Sequence, residues 1–188
     1  SGTGALGYSS AVRAVWLDGT QRLLAQESVN RRADHLFEGA GQGCTFVIDV
    51  VLFRQLQNDL FNNVHLLPAI HYHDWTIYAL ARSRDARWYF DAKSSMNYQQ
   101  HAGNDTGARS SISGISRRIK LIKTGWYRTQ VNLVAELIHA VRPLHEPILE
   151  WRLLHLSRFA RFVYVVRHGR RRFADRIILG VAVILGYL

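Results

Sequence analysis

Between residues 8 and 104, short apolar stretches are separated by turn signals, the pattern of an alternating sheet and helix region. Val12 to Trp16, Thr45 to Val51 and Ala86 to Phe90 read as strands, divided by Asp18-Gly19 and by the glycine-rich stretch from Gly39 to Gly43. Helical spacing interrupts them. Val51, Leu52 and Leu56 fall on one face over Val50 to Leu56, and a second helix over Trp75 to Ala81 starts from Asp74 as its expected N-cap. From residue 108 onward the pattern is helical: Ile112, Ile115, Ile119 and Ile122 recur at three- and four-residue steps. Trp126 to Val141 follows, expected to close at Pro143 and Pro147, and Ile148 to Val166 reads as one long apolar-rich segment. An Arg/Gly cluster at 167–172 breaks the chain before a last helix. The predicted class is α/β, with a partial sheet domain over residues 1–108 and a basic helical C-terminal region over 109–188.

Composition adds three constraints. Hydrophobic residues make up 48% of the 188 positions, enough to bury a core. A single cysteine, Cys44, excludes an internal disulfide framework and a four-thiolate zinc site. The net charge of +10 is unevenly placed: residues 1–104 hold 9 basic and 9 acidic side chains, residues 105–188 hold 15 and 5. The basic excess therefore belongs to the helical part and points to a phosphate-bearing partner, whether anionic lipid, nucleic acid or a phosphorylated substrate. The start of the chain does not read as a secretory signal. The longest apolar run, Ile177 to Leu188, has 12 residues, too short to cross a bilayer that takes ~20. It reads as a buried terminal helix, with an interfacial anchor beside Arg167, Arg170, Arg171 and Arg172 as the alternative.

Reactive side chains gather in three places. In His71-Tyr72-His73-Asp74-Trp75, Asp74 has three open readings: a general base for a substrate hydroxyl, a metal ligand with the two histidines, or only a helix cap. From Tyr98 to Ala108, Gly103 and Gly107 permit close backbone approach while Gln100, His101 and Asn104 supply polar groups, suiting a phosphate or sugar loop or a plain polar connection. Gly43-Cys44-Thr45 follows a glycine-rich turn, and its cysteine reads as a small buried hydrophobe rather than a nucleophile.

In order, Gly43-Cys44-Thr45, His73-Asp74-Trp75 and the loop from Tyr98 to Ala108 resemble the acceptor-side half of a family 2 glycosyltransferase. The likeness is close to the rhamnosyltransferase-like branch that builds bacterial surface polysaccharides. The resemblance covers about residues 8–125, including Tyr8-Ser9-Ser10 and Asp18-Gly19. It implies a GT-A fold and transfer of a sugar from a nucleotide-sugar to a hydroxyl of a glycan or lipid-linked acceptor, with inversion. Asp74 would be the catalytic base. His73, Trp75, Gly43, Cys44, Thr45 and Gln100 would line the substrate site, with Trp75 offering an apolar wall to a sugar ring. His101 and Asn104 would lie near the diphosphate, and Mg or Mn would serve the complete enzyme.

The chain departs from the family pattern at two points. Gln99 stands where the loop usually has Arg, and no Asp-x-Asp occurs, so either the donor-binding half and its metal ligands come from a longer protein or a second chain, or the chain is a decayed or repurposed relative. For the basic region, no helix-turn-helix, zinc-finger or RNA-recognition signature favours nucleic acid. Anionic lipid is the stronger target because acceptors in such families are often lipid-linked diphosphates. The implied location is cytoplasmic, peripheral at the inner face of the membrane.

Overall fold

The structure, a computed structural model, describes residues 4–100, 119–154 and 157–188. A small mixed sheet is built on β1 (Gly7–Val15). On one side β1 pairs antiparallel with β2 (Gln21–Leu24) through its second half and with the two-residue β3 (Val47–Ile48) at its start. On the other side it pairs in parallel with β4 (Trp88–Gln99) along its whole length. The β1–β2 turn follows from local chemistry: Gly19 takes a φ of 82°, and Asp18 Oδ1 accepts the Thr20 N–H at 2.9 Å. Gly7 is required by packing, because a Cβ there would run into the Trp88 ring.

The helices are α1 (Asp34–Phe37), α2 (Val50–Asn62), α3 (His73–Ser83), α4 (Trp126–Val141), α5 (Glu146–Leu153), α6 (Arg158–His168) and α7 (Phe173–Ile184). Thr45 to Val51 is not one strand. Gly43–Thr45 forms a 3-10 turn, and Asp49 then caps α2 by accepting the N–H groups of Val51 and Leu52 at 2.8 and 3.3 Å. The capping bonds leave only Val47 and Ile48 free to pair. Ile148 to Val166 is likewise two helices, because Ser157 caps α6 through the Ala160 N–H. Pro147 does not close a helix but sits in the first turn of α5, where its missing N–H costs nothing.

The core runs through both compositional zones. Leu36, Phe37, Trp75 and Ala79 pack with Val131, Val134, Ile138, Trp151, Val165, Leu179 and Val183, while Tyr78, Leu80, Trp88 and Phe90 pack with Leu52, Leu56 and Leu137. α3 contributes to both clusters, so it is buried nearly all round.

A charged network crosses the same junction. Asp34 and Arg171 are 0% and 4% exposed, and Arg171 Nη1 stands 3.3 Å from Asp34 Oδ2. Arg82 Nη1 reaches Asp34 Oδ1 at 3.2 Å, and the Tyr78 hydroxyl donates to Asp34 Oδ2 at 3.0 Å. The Arg171 guanidinium lies over the Phe90 ring at 4.5 Å, and its backbone N–H donates to Glu38 at 2.6 Å. Arg170 pairs with Glu38 at 3.4 Å. The expectation of a phosphate-facing Arg/Gly cluster is thereby corrected for these two residues: both guanidinium groups turn inward to carboxylates of the first zone. Burial opposes ionisation of Asp34, but His35 beside it and the charges of Arg82 and Arg171 bring its carboxyl down to about 2.

Removing one partner leaves a buried charge unpaired, so Arg171→Met is expected to cost about 3–5 kcal/mol, read from the urea midpoint by circular dichroism. Because the folded Asp34 value lies below the unfolded one, its stabilisation is complete above the ordinary carboxylate range. It is lost as pH falls from 3.8 toward about 2. Acid titration of wild type against Asp34→Asn should show that component disappear in the variant.

Candidate functional site

The first turn of α3 meets the glycine-rich turn before β3. A Cβ on Gly43 would sit 3.1 Å from Asp74 Cβ and 3.3 Å from His73 Nε2, so a side chain there would press His73 and Asp74 back by a few tenths of an ångström. Two motifs thirty residues apart in sequence are thus in contact. Asp74 is not the N-cap: Tyr72 holds that position, and Asp74 lies within the first turn, where the helix dipole favours a negative charge. Its Oδ1 accepts the Trp75 N–H at 2.8 Å, and the nearby Gly43 backbone N–H also favours the ionised carboxylate. Burial raises the Asp74 carboxyl above its ordinary value, against these hydrogen bonds and the neighbouring His73. A half-buried carboxylate with a raised value, beside an exposed His73, is a chemically suitable proton acceptor.

Other expected site residues are placed differently. Trp75 presents no wall to solvent: it is 4% exposed, its indole N–H donates to the His35 carbonyl at 2.9 Å, and its ring stacks on Tyr127. Cys44 is exposed rather than buried, with Sγ 3.7 Å from Met96 Sδ on β4. The Thr45 hydroxyl is used structurally, donating to the Gln42 carbonyl at 2.8 Å and accepting the Ser10 N–H at 3.3 Å. Gln100 is buried at the end of β4, its N–H bonded to the Val15 carbonyl at 2.7 Å and its Nε2 unpartnered. His101 and Asn104 lie outside the described residues. Arg109, Arg117 and Arg118, part of the expected basic surface, do so as well.

Two supports went unread in the sequence. Gln130 on α4 is buried, accepts the His71 N–H at 2.8 Å and donates to the Ala69 carbonyl at 3.1 Å, clamping the approach to His73 and Asp74. Arg171 Nη2 donates to the Gly39 carbonyl at 2.6 Å, fixing the start of the turn that carries Gly43. A glutamine on an amphipathic helix and an arginine in a basic run give no sign of either role. Among the described residues, no three His, Cys, Asp or Glu side chains converge as a metal-ligand cluster.

Across 131 residues the chain is 35% identical to the dTDP-rhamnosyl transferase RfbG of Shigella flexneri, a match covering 70% of this chain and 45% of that protein. The chain therefore spans less than half the length of the relative it matches. No family model matches it, and no solved structure matches it significantly.

Gly43→Val should push the glycine turn off α3. Since the contact is at the surface end of the helix, the expected stability loss is about 1–3 kcal/mol. A shift of the His73 ring resonances in a heteronuclear NMR spectrum should accompany it. Gln130→Leu, which removes the side-chain partner of the His71 N–H and the Ala69 carbonyl, should give faster amide exchange at residues 69–73 while α4 stays protected.

Proposed function

The chain belongs to the rhamnosyltransferase-like glycosyltransferases, and we propose that it forms the acceptor-side part of an inverting sugar transferase. The substrate reading is a nucleotide-sugar donor, dTDP-rhamnose by the relative's name, and a hydroxyl of a glycan or lipid-linked acceptor in surface polysaccharide synthesis. The observation that carries this reading is the contact of Gly43 with His73 and Asp74 around a carboxylate whose affinity for a proton is raised.

Asp74 is assigned the general base. An alcohol is a weak nucleophile until its proton has an acceptor, and Asp74 takes that proton as the oxygen attacks the anomeric carbon. The bond from the anomeric carbon to the nucleoside diphosphate breaks on the opposite face, and the diphosphate leaves with the bonding electron pair. His73 and Gly43 line the acceptor approach. Gln100, with its unpartnered amide, and His101 and Asn104 beyond it are assigned to the donor side. Trp75 acts from beneath by fixing the first turn of α3 through His35 and Tyr127. The donor-binding half and the ligands for any Mg or Mn ion come, in this reading, from the remainder of a longer protein or from a second chain.

In the full-length transferase, Asp74→Asn should lower kcat by about 10²–10⁴-fold while leaving the circular dichroism spectrum intact. Since only the ionised carboxylate accepts a proton, activity should rise with pH through a value above the ordinary aspartate 3.8, and the variant should lack that limb. Unchanged turnover in Asp74→Asn overturns the assignment.

A further inference from the structure

The last two helices form an antiparallel hairpin joined at residues 169–172, in which Gly180 lets α7 close on Phe162 and Val166 of α6. Leu179, Ala182 and Val183 of α7 are buried against the core. The expectation of a wholly buried terminal helix is therefore only half met, because the opposite face is open. Phe173, Ile177, Ile178, Val181, Ile184 and the following Leu185 are all exposed, from 38% at Ile177 to 64% at Phe173. At 100° per residue they share an arc of about 140°, in which no charged or polar residue falls, while the Arg176 guanidinium reaches over the Phe173 ring at 5.2 Å. The helix's two charged residues, Asp175 and Arg176, lie off this arc and are only partly exposed. A helix on a water-facing surface normally has the reverse pattern. Phe159 of α6, 71% exposed and stacked on Phe162, extends the apolar patch.

Cations stand at both ends. Arg158 starts α6 beside Gly186 at the end of α7, and Arg167 and Arg172 flank the hairpin turn. Arg172 faces Glu27 at 3.7 Å, with both side chains about half exposed. No helix among the described residues is long and apolar enough to cross a membrane. α7, at 12 residues, is ~18 Å long. An apolar face of this shape, rimmed by guanidinium groups, matches the depth and charge of a lipid headgroup layer.

We propose that the α6–α7 hairpin lies flat on an anionic lipid surface, with the outer face of α7 inserted at the headgroup boundary and Arg158, Arg167 and Arg172 on the lipid phosphates. This docking uses neither Asp74 nor the sugar-transfer reading, so either can fail without the other.

The test is sedimentation of the 188-residue chain with vesicles of phosphatidylcholine alone or mixed with phosphatidylglycerol. The mixed vesicles should bind it, and added salt should weaken binding without abolishing it. Ile178→Glu with Val181→Glu, both at exposed positions, should reduce binding about tenfold or more while circular dichroism is unchanged. Arg158→Gln with Arg167→Gln should lower only the anionic-lipid component. Equal binding to both vesicle types overturns the charged half of the proposal. No vesicle binding overturns all of it, and light scattering that shows a dimer dissolved by the double glutamate variant then assigns the face to self-association.

Discussion

Arg171 is the point through which the two halves of the chain hold each other. It carries charge from the helical region into a pocket formed by Asp34, Glu38, Tyr78 and Phe90, and it also holds the Gly39 carbonyl. A guanidinium can do this because its donors spread over several acceptors while its plane stacks on rings. Burying such a charge is tolerable only when its partners are in place, so the sheet, α3 and the hairpin turn must assemble together. The same residue fixes one end of the glycine turn against α3. Cooperative folding and site geometry thus share one side chain.

The candidate site inherits its shape from that arrangement. α3 is clamped by Trp75 and Tyr78 in the core, by Arg82 to Asp34, and upstream by Gln130. Its first turn is therefore a rigid platform, and the carboxylate of Asp74 stands at an end of the helix that approaches the surface. A catalytic group needs this kind of support, since small misplacements of a base relative to its proton cost large factors in rate. The second carboxylate-rich junction, Arg84 with Asp59 at 2.5 Å, anchors the other end of α3 to α2.

Much of this was legible in the sequence where local chemistry decides the outcome. The α/β class, the Asp18-Gly19 turn, the helix over Trp126 to Val141 and the break at 167–172 all follow from patterning and turn residues. The ordered motifs pointed to the glycosyltransferase family before any fold was described. What was hidden depends on tertiary partners. Asp49 and Ser157 reset helix starts because side-chain caps compete with continued strand or helix, and Trp75 is swallowed by a core that needs Tyr127 from fifty-two positions away. The basic run at 167–172 carried no mark distinguishing its inward arginines from its outward ones. Only the placement of Asp34 and Glu38 separates them.

The account's central claim is that the Asp74 carboxylate meets the acceptor hydroxyl. Its most direct test is a crystal structure of the full-length transferase with an unreactive nucleotide-sugar analogue and its acceptor bound. The account predicts one acceptor oxygen within about 2.6–3.2 Å of Asp74, in line with the anomeric carbon and the diphosphate oxygen. An acceptor bound elsewhere, with Asp74 still satisfied by the Trp75 N–H alone, would contradict it.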